Sequence, residues 1–224
     1  MIKAVLLDID NTLLDFNASA GETIKDAFNK MGLCYSDSVL ETFLRENDAL
    51  WLKIERKEIT RSDLHRVRWN IIFAKLGINA DGSEMERLFL SGLENHAVPI
   101  DGAIDIVRYL SEKYKLYTAS NAPYYQQVKR LTKAGIMPYI ERILNFESQG
   151  INKPQQRFFE ECLNAMRPAT KDETVIIGDS LSADMRGGKG VGISTVWFDR
   201  KGEGKKYDFC DYTVRSLAEI KNLL

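Results

Sequence analysis

The chain has 224 residues, 44% of them hydrophobic, which is enough to bury the core of one large domain or two modest ones. Its 31 Lys and Arg residues nearly balance its 32 Asp and Glu residues, which argues against a nucleic-acid partner or an anionic membrane surface. Its N-terminus lacks a signal-peptide pattern, no apolar run approaches a membrane span, and three scattered cysteines indicate no disulfide framework. We therefore expect a cytoplasmic protein that binds neither membrane nor nucleic acid.

Residues 2–8 form a short run that is aliphatic apart from Lys3 and ends on the acid Asp8. This pattern predicts a strand buried on both faces. Asp8 stands at the end of that strand, and Asp10 follows two residues later, so in extended geometry the two side chains share a face.

Residues 17–97 show helical periodicity, with no strand pattern between successive helices. The apolar spacing predicts four helices, which begin near residues 21, 39, 64 and 83. Thr60 and Asp63 fit a capping box before the third helix, and Gly77 fits its end. Four consecutive helices predict a separate helical module.

Beyond Pro99 and Gly102 the helical and strand patterns alternate. The predicted helices are 102–112, 123–134, 154–166, 181–189 and 216–224, and the predicted strands are 115–119, 142–146, 174–178, 193–198 and 212–214. Alternation of this kind favours a parallel sheet covered by helices on both faces. The fold class is therefore α/β: a Rossmann-like parallel-sheet core domain of residues 1–16 and 98–224, with an inserted helical cap domain of residues 17–97.

Polar side chains follow three of the predicted strands at the point where each strand ends. They are Asp8, the pair Ser120 and Asn121, and Asp179, with Asp184 five residues further on. A lysine, Lys153, stands just before a predicted helix. Because ligands bind at the carboxyl ends of parallel strands, we expect these groups to converge on one edge of the sheet.

The charges of these groups indicate a cation. Asp8, Asp10, Asp179 and Asp184 against Lys153 leave three negative charges in one cleft, which a divalent cation with oxygen ligands would compensate. Mg²⁺ is the common choice, and a proton held by one aspartate would complete the balance. A carboxylate nucleophile, a nearby carboxylic acid, a metal, a hydroxyl and a lysine together predict phosphoryl transfer.

These residues resemble the haloacid dehalogenase superfamily of phosphohydrolases. Its four motifs match, in order, the segment from Asp8 to Leu13, Ser120 with Asn121, Lys153 with Pro154, and Gly178 with Asp179 and Asp184. The resemblance implies Asp8 as nucleophile and Asp10 as acid and base. It implies Mg²⁺ bound by Asp8, Asp179 and the Asp10 carbonyl, with Asp184 behind them holding Lys153. It also implies that Ser120, Asn121 and Lys153 hold the phosphate, and that residues 17–97 form a type-1 cap that closes over small substrates.

Within that superfamily the chain is most similar to the pyrimidine nucleoside 5′-monophosphate phosphatases. The similarity rests on the segment 10–16, on Leu50-Trp51 followed by residues 58–60, and on the segment 211–217. It implies a small phosphorylated substrate, with Phe16 and Trp51 available to stack on a base. Packing in the apolar core of the cap is the alternative interpretation of Trp51.

Several alternatives stay open on the sequence. They are a phosphatase of another small metabolite such as phosphoglycolate or a sugar phosphate, a phosphosugar mutase, a 2-haloacid dehalogenase, and a non-catalytic phosphate-binding protein. A dehalogenase needs neither an acid at Asp10 nor a cation. The two histidines are predicted to be non-catalytic, His65 on a solvated helix face and His96 at a helix end. We expect a monomer or a homodimer.

Overall fold

The structure, a computed structural model, describes residues 1–224 apart from the side chain of residue 147. The chain forms two compact units. One consists of Met1–Asp15 and Val98–Leu224, and the other of Phe16–Ala97.

The second unit is helical and has a core of its own. Its helices are α1 (Phe16–Lys30), α2 (Asp37–Glu55), α3 (Arg61–Leu76) and α4 (Gly82–Leu93). Trp69 lies at the centre of an aromatic cluster and stacks on Phe43, with 5.3 Å between ring centroids. The predicted capping box of Thr60 and Asp63 is confirmed, and Gly77 ends α3 in the left-handed conformation.

A parallel sheet forms the centre of the first unit. Its strands are β1 (Ala4–Leu7), β2 (Lys115–Ala119), β3 (Arg142–Leu144), β4 (Thr174–Gly178), β5 (Ser194–Phe198) and β6 (Tyr212–Val214). Their order across the sheet is β3-β2-β1-β4-β5-β6, and every neighbouring pair is parallel. The strand order reverses between β1 and β4, which opens a crevice at their carboxyl ends. The predicted α/β, Rossmann-like fold class is confirmed.

Helices cover this sheet and close its core. They are α5 (Ala103–Ser111), α6 (Tyr124–Lys133), α7 (Gln156–Ala165) and the short α8 (Gly187–Gly190). All residues of β1 and β4 are buried, as expected for strands covered on both faces. Two glycines let α8 approach closely: a Cβ on Gly187 would lie 2.2 Å from the Phe159 ring, and one on Gly188 would lie 2.7 Å from Ile176.

Several element bounds differ from the sequence-based expectation. The predicted helix 181–189 is a π-helical turn, Leu181–Arg186, continued by α8. The predicted helix 154–166 begins two residues later, at Gln156, and the predicted strand 142–146 ends at Leu144. The predicted α-helix 216–224 is a 3₁₀ helix, Leu217–Asn222, because it packs through Leu217 and Ile220, whose spacing of three matches the 3₁₀ repeat.

Candidate active site

Three carboxylates meet at the carboxyl edge of β1 and β4. Leu7 lies opposite Ile177 in the sheet, and the N–H of Asp8 donates to the Ile177 carbonyl at 2.9 Å. This register brings Asp8 beside Asp179, and one carboxylate oxygen from each of Asp8, Asp179 and Asp184 lies within 4.8 Å of the others. The predicted convergence of these three residues is therefore present in the folded chain.

Lys153 lies inside this cluster and is 4% exposed. Its Nζ donates to Asp8 Oδ1 at 2.6 Å, to Asp184 Oδ1 at 2.6 Å and to the Ala119 carbonyl at 2.9 Å. Each of the three ammonium protons therefore has a partner. The lysine joins the candidate nucleophile to the end of β2 and to Asp184.

Asp184 is fully buried and is held from two sides. Its Oδ1 accepts from Lys153, and its Oδ2 accepts from the Ser180 N–H at 3.1 Å. The π-helical turn that carries Asp184 begins at Leu181, three residues after β4 ends at Gly178, and π-helical turns are frequent at functional sites. Only a glycine fits before it, since a Cβ on Gly178 would lie 2.3 Å from Asp184 Oδ2.

The backbone and side chain of Asp179 are fixed by two residues. The Asp179 N–H donates to Thr12 Oγ1 at 3.0 Å, and the Trp197 indole N–H donates to the Asp179 carbonyl at 3.0 Å. The Thr12 hydroxyl lies 3.1 Å from Asp8 Oδ2 and 3.4 Å from Asp179 Oδ1, so its single proton bonds one carboxylate at a time. Thr12 belongs to the first motif, but the sequence predicts no role for its hydroxyl.

Burial changes the ionisation of this cluster. Burial, with a smaller contribution from the charge of Asp184, raises the pKa of Asp8 to about 7 against the lowering effect of Lys153. Burial also raises the pKa of Asp179 well above its ordinary value. The pKa of Lys153 is lowered by burial but raised more by Asp184 and Asp8, so the lysine stays charged.

Asp10 points its carboxylate to a different set of partners. Gln127 Nε2 donates to Asp10 Oδ2 at 2.6 Å, and Arg130 Nη1 contacts Asp10 Oδ1. The Arg130 side chain is fully buried, whereas that of Asp10 is 27% exposed. The sequence predicts no role for Gln127 or Arg130. Arg130 changes the charge count, because four ionised carboxylates against Lys153 and Arg130 leave two negative charges rather than three.

The loop after β2 brings Ser120 and Asn121 to the same edge. Ser120 Oγ accepts from Gln127 Nε2 at 2.9 Å and from the Ala122 N–H at 3.1 Å. The Asn121 amide donates to the Lys153 carbonyl at 3.0 Å and accepts from the Lys153 N–H at 2.8 Å, which clamps the lysine backbone. Asn145, which follows β3, donates to the Ser120 carbonyl at 3.2 Å. Phosphate binding by Ser120 and Asn121 stays a prediction.

Four further side chains considered in the sequence lie within the helical unit. Phe16 packs near Phe43, with 6.3 Å between ring centroids, and Trp51 packs against a small apolar cluster that includes Ile54. His65 is partly exposed, with 27% of its side chain accessible, and its Nδ1 lies 2.7 Å from Glu86 Oε1. His96 Nε2 lies 3.1 Å from Asp26, beyond the end of α4.

Two bulk expectations also have structural counterparts. Among the described helices, none combines the length and hydropathy that a membrane span requires. Cys34, Cys162 and Cys210 all carry free thiols.

Comparison with known proteins places these features in a family. The family model for haloacid dehalogenase-like hydrolases matches residues 2–192. The chain is 28% identical to the putative HAD-hydrolase YfnB of Bacillus subtilis, over 99% of this chain and 95% of that one. It is 31% identical to the pyrimidine 5′-nucleotidase PynA of Streptococcus pneumoniae, over 88% of this chain and 84% of that one.

A solved structure shows the same architecture along the whole chain. The crystal structure of YfnB bound to magnesium has a TM-score of 0.92 to this structure and covers 100% of this chain and 98% of its own. The family model, the relatives and the fold agree, and the chain belongs to the haloacid dehalogenase-like hydrolase family.

Proposed function

We propose that the protein is a Mg²⁺-dependent phosphomonoester hydrolase that works through an aspartyl-phosphate on Asp8. The observation that carries this proposal is the contact of Lys153 with Asp8 and Asp184, next to Asp179. An ammonium group beside a carboxylate nucleophile is suited to neutralise a transferring phosphoryl group.

The residues at this edge fit a magnesium ion. Their side-chain ligands are carboxylate oxygens, which hard divalent cations prefer, and the two uncompensated negative charges equal the charge of one such ion. The proposed ligands are the side chains of Asp8 and Asp179 and the Asp10 carbonyl, with Asp184 behind them, where it accepts from Lys153 and from the Ser180 N–H. When bound, the ion supplies charge neutralisation for the phosphate and for Asp8.

The protein groups divide the reaction into two steps. The Asp8 carboxylate attacks phosphorus, the bond from phosphorus to the ester oxygen breaks, and Asp10 donates a proton to the leaving alkoxide. Asp10 then takes a proton from water, which attacks the phosphorus and releases inorganic phosphate and free Asp8. Ser120, Asn121 and Lys153 hold the phosphate oxygens.

We further propose nucleoside 5′-monophosphates, pyrimidine ones first, as the small phosphorylated substrates. The name of the relative PynA supports this choice. The helical unit is proposed as the cap domain that selects the substrate, and Phe16 and Trp51 as its candidate base contacts. A monomer or a homodimer is the proposed assembly.

Phosphate release from a panel of monoesters tests this function. The panel contains UMP, dUMP, dTMP, purine monophosphates, phosphoglycolate, a triose phosphate, hexose phosphates and flavin mononucleotide, each with Mg²⁺ and with chelator. Asp8→Asn removes the nucleophile at constant shape and should lower kcat at least ~10⁴-fold. Asp105→Asn, the same change on an exposed position of α5, is the matched control and should leave kcat unchanged.

The outcomes separate chemistry from substrate. Mg²⁺-dependent release that Asp8→Asn abolishes supports the mechanism, and preference for UMP, dUMP or dTMP supports the nucleotide substrate. Activity confined to sugar phosphates or phosphoglycolate keeps the mechanism and refutes the substrate. No release from any ester refutes the proposed function.

A further inference from the structure

Helix α6 buries polar side chains where most helices bury apolar ones. It begins at Tyr124, shortly after Ser120, and its buried residues are Gln126, Gln127, Arg130 and Leu131. Gln127 and Arg130 are both 0% exposed, and their spacing of three places them on one face. A buried arginine is costly, so its presence here requires an explanation.

Gln127 and Arg130 form a directed hydrogen-bond network with Asp10 and Ser120. Arg130 Nη1 contacts Asp10 Oδ1 and donates to Gln127 Oε1 at 3.1 Å. An arginine side chain can only donate hydrogen bonds, so the end of the Gln127 amide that faces Arg130 must be the oxygen. The amide nitrogen therefore faces the other way and donates to Asp10 Oδ2 at 2.6 Å and to Ser120 Oγ at 2.9 Å.

We propose that Gln127 and Arg130 are positioning residues that together orient the Asp10 carboxylate and the Ser120 hydroxyl for phosphoryl transfer. This inference rests on the proposed function, because it assigns tasks to Asp10 and Ser120 that only that reaction needs. Neither positioning residue touches the substrate; both act through the groups that do.

The two ends of the network have different consequences. At Asp10, both carboxylate oxygens are engaged, one by each positioning residue, which restricts rotation of the side chain. At Ser120, the hydroxyl oxygen accepts from Gln127 and from the Ala122 N–H, which uses both lone pairs. The hydroxyl proton is then the part of Ser120 left to donate to a phosphate oxygen.

The incomplete pairing of Arg130 also argues against a structural role. Its Nε and Nη2 are buried and have no hydrogen-bond partner among the described residues. An apolar side chain of similar size would satisfy packing at this position without unpartnered donors. The arginine is retained, on this argument, for what it does to Asp10.

The leaving group of the substrate provides a test. An alkyl phosphate needs a proton on its leaving oxygen, whereas the nitrophenolate released from p-nitrophenyl phosphate does not. Disturbing Asp10 therefore lowers kcat/KM selectively for alkyl esters, and disturbing Ser120 lowers it for both classes. We would measure kcat/KM with the best alkyl monoester of the panel and with p-nitrophenyl phosphate.

The variants are Arg130→Met, Arg130→Lys and Gln127→Glu, with Lys133→Gln on the exposed face of α6 as the matched control. Since acid catalysis contributes typically 10²–10⁴-fold, we expect Arg130→Met to lower kcat/KM ~10²-fold for the alkyl ester and only a few fold for the nitrophenyl ester. Arg130→Lys should recover part of the loss. Gln127→Glu should lower both values, the alkyl ester more, and Lys133→Gln should change neither.

A double variant completes the test. In an Asp10→Asn background, Arg130→Met should have almost no further effect on the alkyl ester, because its route of action is already removed. Equal losses on both esters for Arg130→Met, or full additivity with Asp10→Asn, would overturn the inference while the proposed function stands. If the wild type releases no phosphate from either ester, the proposed function fails and this inference falls with it. Thermal unfolding of each variant shows whether it folds. If Arg130→Met does not fold, the kcat/KM values of Arg130→Lys and Gln127→Glu on the two esters test the inference instead.

Discussion

The two units each bury an arginine, and the two arginines differ in how many of their N–H groups are hydrogen-bonded. In the helical unit, Arg68 donates to both oxygens of Glu86, at 3.2 and 2.6 Å, and to Asn47 Oδ1 at 2.8 Å. Its guanidinium also lies 4.7 Å from the Phe89 ring centroid. In the α/β unit, Arg130 contacts Asp10 and Gln127 through Nη1, and its Nε and Nη2 have no hydrogen-bond partner among the described residues.

The comparison separates a closed polar cluster from an open one. Arg68 and Glu86 are both almost fully buried and neutralise one another, so their cluster needs nothing from outside the protein. The cluster at the edge of the sheet retains two negative charges after Lys153 and Arg130 are counted. An open cluster of this kind requires an ion or a substrate to complete it.

The largest expected difference between the two arginines is in stability. Arg68→Met leaves the Glu86 carboxylate buried without its cation and should lower the free energy of unfolding by about 3–5 kcal/mol. Arg130→Met leaves Asp10, whose carboxylate reaches solvent, and removes two donors that have no partner among the described residues. It should cost less, about 1–2 kcal/mol, because the buried Gln127 Oε1 loses its donor. Urea unfolding of both variants measures the difference. Equal destabilisation would show that Arg130 has the same structural role as Arg68.

Substitution of one buried threonine in each unit compares the two clusters by their effect on Mg²⁺ affinity. Thr12→Val removes the hydroxyl between Asp8 and Asp179 and should weaken Mg²⁺ binding ~10–100-fold, the usual effect of losing a group that supports metal ligands. Thr23→Val removes a buried hydroxyl that bonds the Ser19 carbonyl at 2.7 Å in the helical unit, and should leave Mg²⁺ affinity unchanged. Isothermal titration gives both affinities. A similar loss in both variants would contradict a specific role for Thr12.

The smallest expected effect is a dependence of Mg²⁺ binding on pH. In the metal-free protein, the pKa of Asp8 is raised from its ordinary 3.8 to about 7. Protonated Asp8 therefore contributes to the free energy of unfolding in full below pH 3.8, and this contribution is lost as the pH rises to 7. The ion requires the ionised carboxylate, so Mg²⁺ affinity should rise about 10-fold from pH 6 to 8 and level off above. The raised pKa of Asp179 acts in the same direction.

Melting temperatures with and without Mg²⁺ across this pH range measure the effect. Asp8→Asn should flatten the dependence, although Asp179 can retain part of it. A stabilisation by Mg²⁺ that is the same at pH 6 and 8 would refute the raised pKa as its source.

The fold was largely predictable because the residue pattern of each central strand indicates whether one or both of its faces are buried. The run before Asp8 and the run before Asp179 are aliphatic without alternation, which is typical of strands covered on both faces. The convergence of Asp8, Asp179, Asp184 and Lys153 followed from parallel strands sharing one carboxyl edge. The π-helical turn and the final 3₁₀ helix were not predictable, because helix type depends on what a short segment packs against.

A sequence signal for Gln127 and Arg130 existed but is weak. The α6 segment, Tyr-Tyr-Gln-Gln-Val-Lys-Arg-Leu-Thr-Lys, has too few apolar residues to cover a sheet with one face. A helix that packs against the rest of the protein but has few apolar residues must bury polar side chains instead. The composition of α6 therefore marks it as an unusual helix, but it does not identify the partner of Gln127 or of Arg130.

The sequence by itself determined the α/β class, the helical insert and the set of acids and lysine at the ends of the strands. Only the tertiary structure decided which polar groups meet: Arg68 with Glu86, Arg130 with Asp10, and the Thr12 hydroxyl with Asp8 and Asp179. Periodicity reports whether a side chain faces water or core. It carries no information about which distant group stands opposite, and in a low-dielectric interior that neighbour determines whether a charge is satisfied or left for a ligand.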